Sequence, residues 1–184
     1  MPAKKKLTST KTANKIWALT RISLGLIFIW AFLDKTFGLG FATCRNTKTE
    51  VVDMMCSTAW VNGGSPTYGF LKNGTSGPFA DFYQSLASTN PNAIINWLFM
   101  LGLLGIGIGL LLGIGMKLAT YSGVIMMLMM WTAALWPANN PLIDDHIVYA
   151  LVLIGLLKVN ESQEFGFGAK WAKLPAVKKY PILK

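Results

Sequence analysis

The chain is predicted to be all-α, an integral membrane four-helix bundle with a long extracytoplasmic segment between helices one and two. Charge spacing is the first reason: between Asp81 and Asp144 the only charged residue is Lys117. That lysine separates two apolar runs, Ile94 to Gly115 and Leu118 to Pro137, each close to the roughly 20 residues that cross a bilayer at about 1.5 Å per residue. Neither run carries the charged face that a water-soluble helix shows at 3.6-residue spacing. Composition agrees, with 53% hydrophobic and 14% charged residues and a mean hydropathy of +0.44. At 184 residues the chain is expected to form one membrane domain.

Residues 1–15 hold Lys4, Lys5, Lys6, Lys11 and Lys15 and are expected to be a basic cytoplasmic segment. The first span, about 16–41, is interrupted by Arg21 and by the adjacent pair Asp34 and Lys35. A cleaved signal peptide would also start with basic residues. Arg21 breaks its apolar region, however, and Phe41-Ala42-Thr43-Cys44 lacks a small residue at the minus-three position, so an uncleaved signal-anchor helix is expected.

The outer segment 42–93 is too long for a simple connection. Aromatic residues from Trp60 to Tyr83 punctuate its Gly, Ser and Asn background, and after Pro78 the residues Phe79, Phe82, Tyr83 and Leu86 recur at i, i+3, i+4 and i+7. This spacing predicts a short amphipathic helix lying in the membrane interface with its apolar face down. The glycine-rich stretches 62–67 and 72–78 read either as plain turns or as backbone nests for an anion.

In the second span, 94–115, Gly105, Gly109 and Gly113 fall four apart and predict one ridge, a packing face inside the bundle or between subunits. Gly105 to Gly109 is no dinucleotide loop, because no strand precedes it. The third span, 118–137, carries Met126, Met127, Met129 and Met130. Consecutive positions point around the whole helix, which favours packing and lipid contact over a soft-metal site. The fourth span, about 144–159, is short, and a basic cytoplasmic tail follows at 161–184. Trp17, Trp97, Trp136 and Trp171 stand near helix ends, as interfacial anchors do.

Thirteen of the 17 basic residues precede or open the first span, occupy the turn between spans two and three, or follow the fourth. The positive-inside rule therefore predicts a multi-pass protein of the cell membrane with both termini cytoplasmic. It also accounts for the net charge of +9 through contact with anionic lipid, leaving no need for nucleic acid as a partner.

Cys44 and Cys56, the only cysteines, both fall on the outer side and are expected to form an intrachain disulfide. A structural staple and a cycling dithiol are both open, and the spacing is not Cys-x-x-Cys. One histidine cannot provide a bis-imidazole haem site, two cysteines cannot hold a four-thiolate cluster, and no Cys-x-x-Cys-His site exists. No metal site and no covalently bound cofactor is expected, so any redox chemistry would run through a quinone, a dithiol or a partner subunit. The predicted topology brings Asp34 and Lys35 to the depth of Asp144, Asp145 and His146, with Trp30, Trp131 and Tyr149 near. Charges in the membrane are costly and face a cavity or each other. Asp34, Asp145 and His146 are the candidate proton-handling groups; Trp30, Lys35, Trp131, Asp144 and Tyr149 are candidates for substrate or quinone binding. For Asp144 a cap on the fourth helix is the competing reading.

The run from Arg21 to Lys35, with Leu24-Gly25 between, followed by Phe37-Gly38-Leu39-Gly40, resembles the first helix of the DoxX/DoxD-like membrane proteins. Asn139 to Ala150 resembles the start of their last helix. The resemblance spans Ile16 to Lys158 and implies a four-helix membrane bundle, with the activity of a thiosulfate:quinone oxidoreductase membrane subunit. It implies no catalytic set, and Phe32-Leu33-Asp34 stands where the family often has a glycine-rich turn. Three functions follow as expectations: a quinone-linked enzyme subunit acting on a small sulfur anion at the outer face, with Lys35, Arg45 or Lys72 attracting the anion; a small-solute carrier; and a scaffold for a partner protein.

Overall fold

The computed structural model describes residues 2–159 and 164–184, with side chains from residue 11 onward. The side chains of Lys4, Lys5 and Lys6, and residues 160–163 where the fourth span meets the tail, lie outside the described residues. Among the described residues the chain is all-helical, with isolated bridges at Arg45–Val52 and Ser76–Ala134 and no strand. Helix α1, Pro2–Phe37, includes the basic N-terminal stretch and stops four residues before the predicted end. Gly38 ends it with φ +62°, a left-handed conformation that glycine takes without cost, and a Cβ there would stand 2.2 Å from Cys44 Sγ.

Helix α2 is Ala80–Ser85, α3 is Ile94–Leu112, α4 is Met116–Ala133 and α5 is Asp145–Leu156. The tail holds two short helices, α6 (Gly168–Trp171) and α7 (Pro175–Lys179). Lys11–Phe37 of α1 and Ile94–Leu112 of α3 are long and apolar enough to cross a membrane. Helix α4 matches that length, but Lys117, Thr120, Tyr121 and Ser122 dilute its first half. At 12 residues α5 spans about 18 Å, less than the roughly 30 Å of a hydrocarbon core.

Helix α1 packs on α3, α3 on α4 and α4 on α5, while α1 and α5 touch only slightly. Leu24 and Phe28 of α1 meet Met100, Leu103, Ile106 and Leu110 of α3 in a core completed by Met127 and Leu153. Within the chain the predicted glycine ridge does not meet one shared neighbour. A Cβ on Gly109 would meet Ala119 of α4, Gly105 faces open space, and Gly113 lies beside the Arg21 guanidinium. Positions four apart rotate by about 40° per step on a helix with 3.6 residues per turn, so three of them do not share one neighbour. Gly25 and Gly107 form the close α1–α3 contact instead: a Cβ on Gly25 would lie 2.8 Å from Leu111 N, and one on Gly107 2.7 Å from Ile29 Cγ1.

The two ends of the helix assembly differ in kind. At one end the fully buried Arg21 donates to the carbonyls of Leu110, Leu111, Glu164 and Phe165, placing a cation on the negative dipole end of α3. The tail gathers there too, with Phe167 N donating to Leu112 O at 2.8 Å and Lys117 Nζ to Pro181 O at 3.2 Å. At the other end lies the segment 42–93. Buried Asn96 receives hydrogen bonds from Ser65 and Thr67 and donates to the carbonyls of Asn90 and Pro91. Ser76 N donates to Ala133 O at 2.9 Å, and the Tyr83 and Thr132 hydroxyls meet at 2.7 Å. The predicted amphipathic helix is present as α2, but its apolar residues divide: Tyr83 is buried with Leu71 and Ala133, whereas Phe79 and Phe82 are exposed. The C-terminal end of α4 takes up one side of so short a helix.

Candidate ligand-binding cavity

A cavity of about 1080 Å³ opens between the outer segment and helices α1, α3 and α4, at the upper end of the range for small-molecule sites. Its walls follow helical spacing. Ile95, Leu98, Phe99, Gly102 and Ile106 line it from α3, and Ser122, Ile125, Met126, Met129, Met130 and Ala133 from α4. Residues at i, i+3, i+4, i+7 and i+11 share one face, so each helix presents a stripe. From Ile95 to Ile106 the cavity runs about 16 Å at the helical rise. Gly102 keeps it open, since a Cβ there would stand 2.5 Å from Met126 Cε.

The outer end of the cavity is polar. Lys35 from α1, Arg45, Thr43, Thr58, Thr67 and Tyr68 line it beside the backbone of Gly63, Gly64 and Gly69, and among the described residues no carboxylate or imidazole does. Lys35 Nζ lies 6.0 Å from the centre of the Phe99 ring, near the limit of a cation–π contact. Arg45 pairs with Glu50 on the surface. This arrangement offers hydrogen-bond donors and positive charge above an apolar shaft. It suits a molecule with an acceptor-rich head and a hydrocarbon tail.

Among the predicted site residues, only Lys35, Cys44 and Arg45 line this cavity. Asp34 is almost fully buried, and its carboxylate accepts the N–H groups of Phe41 at 3.0 Å and Ala42 at 2.9 Å. Asp144 caps α5, accepting from His146 N at 3.0 Å and Ile147 N at 3.3 Å, while its other oxygen lies 2.7 Å from His146 Nδ1. Asp145 follows in the first turn of α5 and is exposed. Trp30 packs edge-on against Phe41 at 5.0 Å, Trp131 Nε1 donates to Leu142 O at 3.0 Å, and Tyr149 packs on the helical core.

The predicted gathering of Asp34 and Lys35 with Asp145 and His146 is therefore corrected: among the described residues no hydrogen bond or ion pair joins the two groups. The physical reason is local. Asp34 lies at a loop start and Asp144 at a helix start, each beside unpaired backbone N–H groups, and charge-assisted bonds to such donors outcompete a distant partner.

Cys44 and Cys56 are joined, with Cα atoms 5.7 Å apart. The Thr58 hydroxyl lies 2.9 Å from Cys56 Sγ and 3.7 Å from Cys44 Sγ. A second, shallower depression of about 480 Å³ touches both cysteines, with Arg45, Asn46, Asp53 and Thr58. Thr58, Asn96 and the α3 and α4 stripes were not singled out by sequence reasoning. The stripes had a readable signal in their spacing; Thr58 had only its position two residues after Cys56. Comparison of the chain with known proteins finds no matching family model, no matching curated sequence and no matching solved structure.

Proposed function

We propose that the chain is a multi-pass membrane protein, with α1, α3, α4 and α5 crossing the bilayer and both termini cytoplasmic, and that it is the membrane subunit of a quinone-linked oxidoreductase. Surface character supports the membrane setting. Large apolar side chains stand exposed along all four helices, among them Leu26 and Ile27, Leu98 and Leu101, Ile125 and Leu128, Leu151 and Ile154. Only 28% and 39% of the apolar windows of α1 and α3 are buried, unlike a helix in a soluble core, and soluble monomers rarely leave such apolar surface in water. Orientation rests on the clustering of Arg21, Lys117 and the lysine-rich tail at one end and the disulfide at the other.

The cavity carries the functional reading. Its apolar shaft suits the tail of a quinone, and Lys35 with the Thr43 and Tyr68 hydroxyls suits the acceptor carbonyls of the ring. A small sulfur anion such as thiosulfate is the proposed outer substrate, drawn to the positive rim at Lys35 and Arg45. Protein purified with native lipid should release a quinone to mass spectrometry, and Lys35→Met should lower quinone affinity by about tenfold, the loss of one charged hydrogen bond. Recovery of phospholipid alone, with no binding of added quinone, would overturn the reading in favour of a lipid site. Quinone reduction with thiosulfate, sulfite or sulfide then identifies the donor.

A further inference from the structure

We propose that the Cys44–Cys56 disulfide is an electron relay that lets a second class of donor, a dithiol at the outer surface, reduce the quinone in the cavity beside the small sulfur anion, a role that rests on the quinone reading above. Its position is the observation. Cys44 lines the large cavity, both cysteines line the shallow outer depression, and Thr58 belongs to both. The bridge thus forms part of the partition between a water-facing recess and a membrane-side chamber.

The chemistry balances. A donor thiolate in the outer depression attacks Cys56 Sγ, the Cys44–Cys56 bond breaks, and Cys44 leaves as a thiolate facing the cavity. The donor's second thiol displaces Cys56 from the mixed disulfide, so the donor ends as a disulfide and the relay as a dithiol. The relay then closes again, giving two electrons to the quinone, which takes up two protons to become a quinol. The Thr58 hydroxyl, close to both sulfurs, donates a hydrogen bond to whichever becomes a thiolate, and Lys35 on the cavity wall adds positive charge; both favour the reactive form.

Purified quinone-free protein in nanodiscs is reduced with dithiothreitol, freed of reductant without oxygen, and mixed with one equivalent of decylubiquinone. Samples are then quenched and alkylated with a maleimide, and quinone binding is measured separately on oxidised protein. The expected result is loss of both alkylation sites as one quinol forms per chain. Thr58→Val should slow this step by roughly tenfold and raise the pH at which the thiols become alkylatable. A Cys44→Ser, Cys56→Ser double variant should bind quinone without forming quinol. Quinone that binds while the thiols stay alkylatable would overturn the relay and leave the quinone site standing. A bridge that dithiothreitol cannot open would do the same. Absence of quinone binding would remove both readings together.

Discussion

Two buried polar residues, Arg21 and Asp34, hold this molecule together through backbone groups. Arg21 satisfies the carbonyls at the end of α3 and reaches the tail, so Arg21→Met should lower stability by about 3 kcal/mol, since hydrogen bonds to a charged group contribute about 1.5–3 kcal/mol each. Arg21→Lys should recover only part of it, because an ammonium lacks the guanidinium fork. Unfolding in mixed micelles measures both. Asp34 does comparable work at the other end, so Asp34→Ala should speed hydrogen exchange at the amides of Phe41 and Ala42 while leaving the α1 interior protected. A uniform loss of protection along α1 would contradict that local role. His146→Gln should affect the start of α5 and leave quinone binding unchanged, because His146 faces Asp144 and lies outside the cavity wall. At this scale the sequence identified which residues are charged among apolar neighbours. It did not show what they face, since Asp34 is held by N–H groups seven and eight residues on and Asp144 by its own helix.

Between elements, contact depends on small residues whose partners lie far away in the chain. In the proposed membrane setting helices gain little from burying apolar surface and associate through close packing. Gly25 and Gly107 supply that closeness for α1 and α3, so Gly25→Val should cost about 1–3 kcal/mol by overpacking against the α3 backbone. Gly105→Val should be tolerated, because Gly105 faces open space. The measurement is the unfolding midpoint of each variant, and equal effects would restore the single-ridge reading. Glycine spacing was legible in the sequence. The partner of each glycine was not, because a helix rotates its positions by about 100° per residue and only the placement of α1 and α4 decides which of them meet a neighbour.

For the whole molecule, polarity from end to end is the testable property. A cysteine placed at Lys178 should stay protected from an impermeant thiol reagent in intact cells, and one at exposed Asn73 should react. Labelling at Lys178 would overturn the proposed orientation. The disulfide offers a separate check at this scale: it closes the loop at the outer end, so reduction alone should loosen residues 38–59 and leave the α3–α4 packing intact. Hydrogen exchange with and without reductant distinguishes this from general unfolding.

The sequence by itself determined the all-helical class, the apolar stretch that becomes α3, and the concentration of most basic residues away from the cysteine-bearing segment. These properties depend on composition and local spacing, which act before any tertiary contact forms. Tertiary structure decided where the cavity lies, that Lys35 reaches it while Asp34, Asp145 and His146 do not, and that Thr58 stands against the Cys44–Cys56 bridge. Those outcomes depend on the relative rotation of packed helices and on which backbone donors lie nearest each carboxylate, and no periodicity along a single segment encodes either.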